Sequence, residues 1–433
     1  MAEAAAAAAV YEVVETSAQI GVGAYMVAKP TMPLKATFSQ IATSSDDDTK
    51  LSLSRSGHTL CIVKNKAYLF GGETAADKLS SNEVHAVTLE PSEKGEPDYS
   101  VVPAVPDVEG GKVPVARRGH AACAFNICVA IFGGIDEGGE VIDEGSMIWL
   151  FNAGKSAWET LESSNPDTGP QPRRDAHLYD HQNNLVLYGG YSVAGESLKD
   201  VWHFDYVSRN WTQLPDAPIS TSNATLSDGN LYIISGEGGV SGDLHFLPLT
   251  AKAAGERSWH TVPFPTNPLV PGPLARTGAG LLPVSTGYGR QYLLYLFGAR
   301  SATSPEGNAS TDDQSEHETK DSQPQFWSDM WTYQLPSSQP QLKATTNIYE
   351  ALKPAKIKDA IRGALGVDDG KHSWGEVEVL PPTDMESSGG KVHPGPRASF
   401  ACDVMKDKRT VVIWGGVNPK GDREGDGWMI KLE

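Results

Sequence analysis

The sequence predicts an all-β fold, a β-propeller whose six blades form a closed ring. Three observations predict it: a glycine step that recurs along the chain, an outer-strand pattern that recurs with it, and the order of the two patterns at the ends of the chain. Composition agrees, because the 433 residues include 44 Gly and 29 Pro, which is typical of a protein with many turns. Hydrophobic residues make up 39% of the chain, which is enough for a sizeable core.

The glycine step is a run of aromatic and β-branched residues that ends in glycine. Such runs are typical of buried strands, and a terminal Gly pair permits positive φ and the close approach of a neighbouring backbone. Four copies keep the Gly pair and two are degenerate. The six copies are YLFGG to Gly72, AIFGG to Gly134, LVLYGG to Gly190, YIISG to Gly236, YLFGA to Ala299 and VVIWGG to Gly416.

The outer-strand pattern is an aromatic residue followed three positions later by an aliphatic one. Between it and the glycine step lies a further β-rich run, so each unit contributes four strands. The six copies are Phe38-x-x-Ile41, Tyr99-x-x-Val102, Trp158-x-x-Leu161, Trp211-x-x-Leu214, Trp259-x-x-Val262 and Trp374-x-x-Val377.

The order of these patterns predicts how the ring closes. The first outer strand, around Phe38, precedes the first Gly pair, whereas the last unit ends at GWMIKL without an outer strand of its own. We therefore expect the strand around Phe38 to complete the last blade. Closure would leave only short, protected sheet edges.

These repeats resemble those of a known family. The segments RSGHTLCIVKNKAYLFGG, RRGHAACAFNICVAIFGG and DVWHFDYVSRNWTQLP are similar to kelch repeats, and the resemblance covers residues 36–433 apart from two insertions. It implies a six-bladed propeller closed by an N-terminal strand. It also implies a protein that presents surfaces built from loops to partner proteins.

Two insertions and one extension interrupt the repeat. Residues 1–35 form an N-terminal extension that we expect to be partly helical or mobile, ahead of the propeller at 36–433. Residues 301–326 are polar and acidic and predict a disordered loop. Residues 337–372 predict a short helical insertion in blade five, because Ile357, Ile361 and Leu365 recur at i, i+4 and i+8.

Charge and cysteine content exclude several classes of function. The net charge of −18 argues against binding to nucleic acid or to an anionic membrane, and no apolar run is long enough to span a bilayer. The four cysteines are too few for a disulfide scaffold of this size, and the start of the chain lacks a basic leader region. We expect a cytoplasmic monomer with free thiols.

The residues just past each glycine step predict a candidate pocket at the axial opening. The catalytic candidates among them are Glu73, Tyr191 and Glu237, two carboxylates and a phenol that suit acid–base chemistry. The alternative interpretation is a solvated rim of loops. The full set is Glu73, Ile135, Asp136, Tyr191, Glu237, Arg300 and Val417.

Arginines mark the start of the blades. Arg55-x-x-His58, Arg117-x-x-His120 and Arg174-x-x-His177 repeat, and this repetition favours a structural role for the histidines. The arginines could instead surround a small anion or a partner at one end of the ring. The residues predicted for this rim are Arg55, Arg117, Asp136, Arg173, Arg276, Arg300 and Arg397.

One branch of the kelch resemblance suggests an enzyme. The plant nitrile-specifier and thiocyanate-forming proteins are similar in length and blade layout, and hold ferrous iron with Glu-x-x-x-Asp-x-x-x-His after a Gly pair. Here Glu73 and Asp77 match that motif, but Ser81 replaces the His, and ferrous iron prefers an imidazole among its ligands. We therefore predict no cofactor, with iron on Glu73 and Asp77 as the alternative.

Two functions follow from the sequence. The first is an interaction scaffold that binds a partner protein through loops at one end of the ring. The alternative is a lyase or isomerase, similar to the nitrile-specifier proteins and metal-dependent in one version, that acts on a small molecule in the axial pocket. No compact catalytic motif decides between them, so enzymatic activity stays open.

Overall fold

A computed structural model describes residues 32–41, 53–90, 99–236, 242–250, 257–264, 272–286, 290–300, 325–335, 373–381 and 391–433. Six sheets, each built on four antiparallel strands, form the blades of a propeller, as the sequence predicts, and two of these sheets carry a short fifth strand. Within each blade the hydrogen-bonded order runs from an inner strand at the axis to an outer strand at the periphery.

The strands of the first three blades follow one another along the chain. From inner to outer, they are Thr59–Val63, Lys66–Phe70, Val84–Thr88 and Tyr99–Val102 in blade 1; Ala121–Phe125, Cys128–Phe132, Ile148–Asn152 and Ala157–Leu161 in blade 2; and His177–His181, Asn184–Ser192, Ser197–Asp205 and Asn210–Leu214 in blade 3. A two-residue strand, Arg173–Arg174, extends blade 3, and Pro166–Thr168 forms a 3-10 helix.

In the last three blades the chain order changes only at the end. The strands are Ala224–Ser227, Asn230–Ile234, Leu244–Pro248 and His260–Val262 in blade 4; Gly280–Ser285, Gln291–Leu296, Met330–Gln334 and Trp374–Glu376 in blade 5; and Ala401–Val404, Thr410–Trp414, Gly427–Leu432 and Lys35–Gln40 in blade 6. Two small hairpins, Glu73–Ala75 with Lys78–Leu79 and Ala299–Arg300 with Gln325–Phe326, follow glycine steps.

The N-terminal strand closes the ring, which confirms the prediction. Phe38 pairs with Ile430 in an antiparallel register that extends from Ala36 to Gln40. On its other side the strand pairs in parallel with Glu378–Val379, from the end of blade 5. The outer strand of blade 6 is therefore made by residues some 390 positions away from its partner.

Hydrophobic side chains fill every seam between neighbouring blades. Each of the six core clusters combines residues of two adjacent blades, and together they complete the circle. The seam between blades 6 and 1 contains Trp414, which is fully buried, packed with Leu60 and Leu69. Removing such an aromatic side chain costs about 3–5 kcal/mol, so each seam contributes substantially to stability.

The Gly pairs lie where the next blade crosses over. Gly71 and Gly72 have φ of 65° and 88°, and a Cβ on Gly71 would lie 2.4 Å from the carbonyl oxygen of Arg117 in blade 2. No side chain fits there. The prediction that these pairs permit close backbone approach is confirmed.

Blade 5 departs from the predicted alignment by one residue. Leu296 pairs with Gly280 in blade 5 at the position where Phe70 pairs with Thr59 in blade 1. The two residues that correspond to the Gly pair are therefore Phe297 and Gly298, which have φ of 53° and 95°. The residue just past the step is therefore Ala299, and Arg300 lies one position beyond it. Phe297 is fully buried against Phe400 and His393, and this packing holds its left-handed backbone.

Some predicted features lie outside the described residues. These are Glu237, the extension up to residue 31, the acidic insertion over 301–324 and the whole helical insertion at 337–372. Gln325–Phe326, the end of the acidic insertion, forms a short strand beside Ala299–Arg300. Among the described residues, no helix has the length and apolar character that a bilayer crossing requires.

Candidate functional site

The two ends of the ring differ in the loops they carry. The first two strands of each blade are antiparallel, so the start of the inner strand and the end of the glycine step lie at the same end of the ring. We call this end the glycine face. The turns between those two strands lie at the other end, the hairpin face. Backbone bridges such as Ser56 to Glu73 and Arg118 to Ile135 show that the blade starts and glycine steps meet at the glycine face.

The arginines that begin the blades are buried. Each has at most 1% of its surface exposed and donates a hydrogen bond to the first carbonyl of the glycine step. In blade 5, Arg276 also binds both oxygens of Asp329, at 2.6 and 3.1 Å, and Trp331 Nε1 donates to Asp329 at 2.7 Å. The other carboxylate pairs are Arg117 with Glu144, Arg173 with Asp200 and Arg397 with Asp426.

This arrangement decides where the predicted rim arginines lie. Because their guanidinium groups are below the surface, the five repeat arginines hold loops to strands and present no charge at a rim. These residues are Arg55, Arg117, Arg173, Arg276 and Arg397.

The repeat in blade 3 also starts one residue earlier than its His spacing suggests. Arg173, and not Arg174, makes the bond to the glycine step, to Gly189 O at 3.0 Å. His177 pairs with Tyr188 as Thr59 pairs with Phe70, so His177 is not equivalent to His58.

Glu73, a predicted catalytic carboxylate, is held between two arginines at the glycine face. Arg118 of blade 2 contacts it at 3.4 Å and Arg423 of blade 6 at 2.5 Å, while Ser56 Oγ donates to it at 3.3 Å. Asp77 lies exposed at the turn of the adjacent hairpin. A cation at Glu73 would therefore compete with two guanidinium groups.

Tyr191 lies at the same face in blade 3. Its ring is 39% exposed, and the guanidinium of Arg174 stacks over it at 4.6 Å from the centroid. Arg174 also pairs with Asp175 at 2.5 Å. We call the partly exposed charged and aromatic side chains of this end the glycine-face cluster. It consists of Glu73, Arg118, Arg174, Tyr191 and Arg423.

The remaining predicted residues of this face have local roles or no contact in the cluster. Asp136 Oδ1 accepts a hydrogen bond from the Glu140 amide at 3.0 Å and so caps its own loop. Ile135 is buried, and Arg300 belongs to the short hairpin of blade 5.

A backbone collar fixes the glycine face around the axis. Gly119 N donates to Gly57 O at 3.0 Å, Asp175 N to Gly119 O at 2.6 Å, Gly57 N to Ser399 O at 3.1 Å and Ser399 N to Gly278 O at 2.8 Å. All five residues have positive φ. Arg118 and Arg174 each precede a collar residue, so their backbones are rigidly placed.

The central channel is a separate space of about 850 Å³, lined by the inner strands. Its wall does not include Glu73, Asp136, Tyr191 or Arg300. The polar residues that line it include His58, Cys61, His120, Cys123, His177, Tyr179, Cys402 and Asp403.

Asp403 is the carboxylate at the seam between blades 6 and 1. Its Oδ2 accepts from the amide of Ile62 in blade 1 at 2.7 Å, and its Oδ1 accepts from the Val404 amide at 2.7 Å. Burial raises the pKa of Asp403 to about 6, and the two amides only partly offset this.

The channel histidines are neutral at physiological pH. Burial, helped by the nearby Arg117 charge, lowers the pKa of His120 to about 3, and burial lowers that of His177 to about 4. His120 Nε2 lies 2.8 Å from Thr59 Oγ1 in the preceding blade. His58 packs against blade 6 as His120 packs against blade 1. Blade 6 has Ala401 where blade 1 has Thr59, and neither ring nitrogen of His58 has a hydrogen-bond partner.

The channel thiols are poor nucleophiles. Burial is the main cause that raises the pKa of Cys61 and Cys123 well above the ordinary value, and that of Cys402 to about 12. All four cysteines are free, as predicted. In the described part of the chain, no three His, Cys, Asp or Glu side chains are grouped to hold a metal ion.

Sequence reasoning missed Asp403 and two arginines of the glycine face, Arg118 and Arg423, and it did not separate Arg174 from the buried Arg173. An acidic residue at the third position of the inner strand ACDV, where blades 1 and 2 have Cys61 and Cys123, was the signal for Asp403. Arg118 and Arg174 each follow a repeat arginine directly, as the second residue of an Arg pair. Only the strand register in the structure shows which arginine of each pair is buried and which is partly exposed.

Comparison with known proteins identifies the class. Residues 57–298, more than half of the chain, match the family described as the KLHDC2/KLHL20/DRC7 Kelch-repeats domain. The chain belongs to this kelch-repeat family. The solved structure of YjhT superposes with a TM-score of 0.54 over 88% of this chain and 97% of that one, at 12% identity, which supports the propeller fold alone.

Individual relatives are distant. The chain is 28% identical over 146 residues to kelch domain-containing protein 3 of Rattus norvegicus, covering 33% of this chain and 35% of that protein. It is 24% identical over 168 residues to the N-(sulfonatooxy)prop-2-enimidothioate sulfolyase of Thlaspi arvense, covering 37% and 44%. It is 26% identical over 182 residues to the flagellar outer arm dynein alpha chain of Chlamydomonas reinhardtii, covering 41% and 4%. Each match spans less than half of the relative.

Proposed function

We propose that this protein is a cytoplasmic interaction scaffold that binds a partner protein through its glycine face. One observation carries the proposal: the glycine-face cluster presents partly exposed Arg and Tyr side chains on a rigid collar. The side chains of Arg118 and Arg174 are 33% and 35% exposed, and Tyr191 is 39% exposed. Kelch-repeat propellers commonly serve as scaffolds, which agrees with the family of this chain.

The chemistry of the cluster suits an acidic patch on the partner. Arg and Tyr are enriched at interfaces because both combine a large contact area with directional hydrogen bonds. The ion pairs to Glu73 and Asp175 occupy only some of the guanidinium donors of Arg118 and Arg174. The remaining donors can bind carboxylates of a partner, although the protein as a whole carries a net charge of −18.

The test compares variants of the two ends of the ring. The double variant Arg118→Glu with Arg174→Glu reverses charge at the glycine face, and Lys64→Glu with Arg209→Glu does so at exposed turns of the hairpin face. Proteins captured from cell extract by each immobilised propeller are quantified by mass spectrometry, and the best candidate is then titrated as a purified protein.

We expect the purified partner to bind the wild type and the hairpin-face variant equally, and the glycine-face variant at least about tenfold more weakly, a loss of about 1.4 kcal/mol. Equal binding to all three propellers, or the absence of any partner that binds saturably, would contradict the proposal.

A second candidate is a lyase that acts on a small molecule with iron at the glycine face. The match to the sulfolyase and the spacing of Glu73 and Asp77 after a Gly pair favour it. The two arginines at Glu73 and the Ser at position 81 disfavour it. Anaerobic loading with Fe²⁺ followed by elemental analysis decides: one iron per chain that Glu73→Gln abolishes supports the lyase, and no retained iron argues against it.

A further inference from the structure

Asp403 is a carboxylate without a counter-charge. Its two hydrogen bonds come from backbone amides, and within the described residues no Lys, Arg or His side chain forms an ion pair with it. Charged groups removed from water are normally paired, because an isolated buried charge is costly. Because its pKa stays at about 6, Asp403 is nevertheless mostly ionised at pH 7.5, and the natural complement of this anionic group in the channel wall is a cation.

Other channel groups also have unused capacity to accept hydrogen bonds. His58 is 5% exposed and is one of the residues that line the channel, and neither of its ring nitrogens has a partner. The hydroxyl of Tyr179 is buried and lacks a partner as well. A neutral imidazole and a phenol can each accept one hydrogen bond. Along with Asp403, they favour a ligand that donates.

Much of the remaining wall is apolar. Leucine, isoleucine, valine and alanine residues of the inner strands are among those that line the channel, and the volume of about 850 Å³ is that of a small-molecule site. The wall thus fits the hydrocarbon part of a ligand, while Asp403 fits a charged end.

We propose that the central channel binds a small organic cation, an alkylammonium or related amine, whose charged group lies against Asp403. The route of access is the hairpin face, where Asp180 and Asp228 line the channel, together with Lys406 and Lys408. The glycine face is the less favourable route because its collar and arginines surround that end. This site is independent of the partner-binding surface.

The test uses n-hexylammonium as the probe, with hexanoate and hexanol as ligands of equal length but different charge. Calorimetric titration at pH 7.5 compares the wild type with Asp403→Asn, Asp403→Glu and the control Asp107→Asn, a carboxylate that pairs with Lys155 at the surface. Circular dichroism confirms that each variant is folded.

We expect hexylammonium to bind the wild type, Asp403→Glu and Asp107→Asn at one site per chain with a Kd of about 1 mM or below. Asp403→Asn, and the two other ligands on the wild type, should bind at least about tenfold more weakly. Equal affinity of hexylammonium for the wild type and Asp403→Asn, or no saturable binding to the wild type, would overturn the proposal.

If Asp403→Asn does not fold, pH provides the same test on the wild type. The groups that face Asp403 are the thiols of Cys61, Cys123 and Cys402, which stay neutral because their pKa is raised. The hexylammonium affinity should fall about tenfold per pH unit below about 6, as Asp403 takes up a proton. An affinity that is constant from pH 7.5 to pH 5 would refute the site.

Discussion

Asp403 shows how one residue changes the character of a repeated position. Asp403 pairs with Val412 in blade 6, at the same position in the register as Cys61 with Tyr68 in blade 1 and Cys123 with Ala130 in blade 2. Asp403, Cys61 and Cys123 are therefore equivalent positions of the repeat. Two blades place a neutral thiol at this point, and blade 6 places a carboxylate that bridges to the next blade. The substitution puts a titratable group at the seam where the ring closes.

The stability of the protein should depend on the charge of Asp403. Its folded-state pKa of about 6 lies above the unfolded value of 3.8, so its stabilising contribution is complete below pH 3.8 and is lost as pH rises through 6. The stability of Asp403→Asn relative to the wild type should therefore be greater at pH 8 than at pH 5, by about 1.4 kcal/mol.

Urea unfolding of both proteins at the two pH values measures this difference, and the surface variant Asp107→Asn serves as the control because it should show no such change. A stability difference between Asp403→Asn and the wild type that does not vary with pH would show that the carboxyl is ionised normally.

At the scale of the structural element, the recurring unit is an arginine, a carboxylate and a tryptophan. The Asp-x-Trp spacing is visible in the sequence at Asp200, Asp329 and Asp426, each two residues before a Trp that donates to it. Burial disfavours ionisation of these carboxyls, but the paired arginine outweighs it and lowers the pKa. In blades 3, 5 and 6 the unit ties the start of the inner strand to the region where the third strand of the same blade begins.

Removing the arginine of one unit should destabilise the propeller strongly. Arg276→Met removes the guanidinium that binds Asp329 and the Phe297 carbonyl, and we expect a loss of about 3 kcal/mol in the free energy of unfolding. Arg209→Met, an exposed control, should change it by less than about 0.5 kcal/mol. Chemical denaturation measures the free energy of unfolding of both variants. A similar decrease in the two would mean that the buried Arg276–Asp329 pair does not stabilise the fold.

Local sequence patterns predicted the strands but not the side-chain pairs that connect them. The strands were predictable because each glycine step and outer strand carries a local pattern. The partner of each repeat arginine was not, because 27 to 53 residues separate the two members of a pair. In blade 5 the local pattern even misplaced the step by one residue, since a buried phenylalanine takes the left-handed position usually held by glycine.

At the scale of the whole molecule, the ring brings distant residues together. Six copies of the repeat and an unmatched outer strand were enough to predict the number of blades and their closure. The glycine-face cluster was not predictable to the same degree: Glu73 was singled out, but its partners Arg118 and Arg423 come from the blades on either side. Only the closed ring makes blade 6 a neighbour of blade 1.

The proposed binding face depends on this closure. Arg423 reaches Glu73 across 350 residues of chain because the strand Lys35–Gln40 completes blade 6 next to blade 1. The channel depends on it equally, since Asp403 binds the Ile62 amide across the same seam.

An engineered disulfide tests the closure most directly. Ser39 and Met429 are opposite each other in the antiparallel register, at a spacing that suits a disulfide, whereas Ser39 and Lys431 are offset by two residues. After mild oxidation of Ser39→Cys with Met429→Cys, peptide mapping without reduction should find the two segments joined in most molecules, and far less joining for Ser39→Cys with Lys431→Cys. Equal joining in both pairs, or none in either, would contradict a ring sealed by its N-terminal strand.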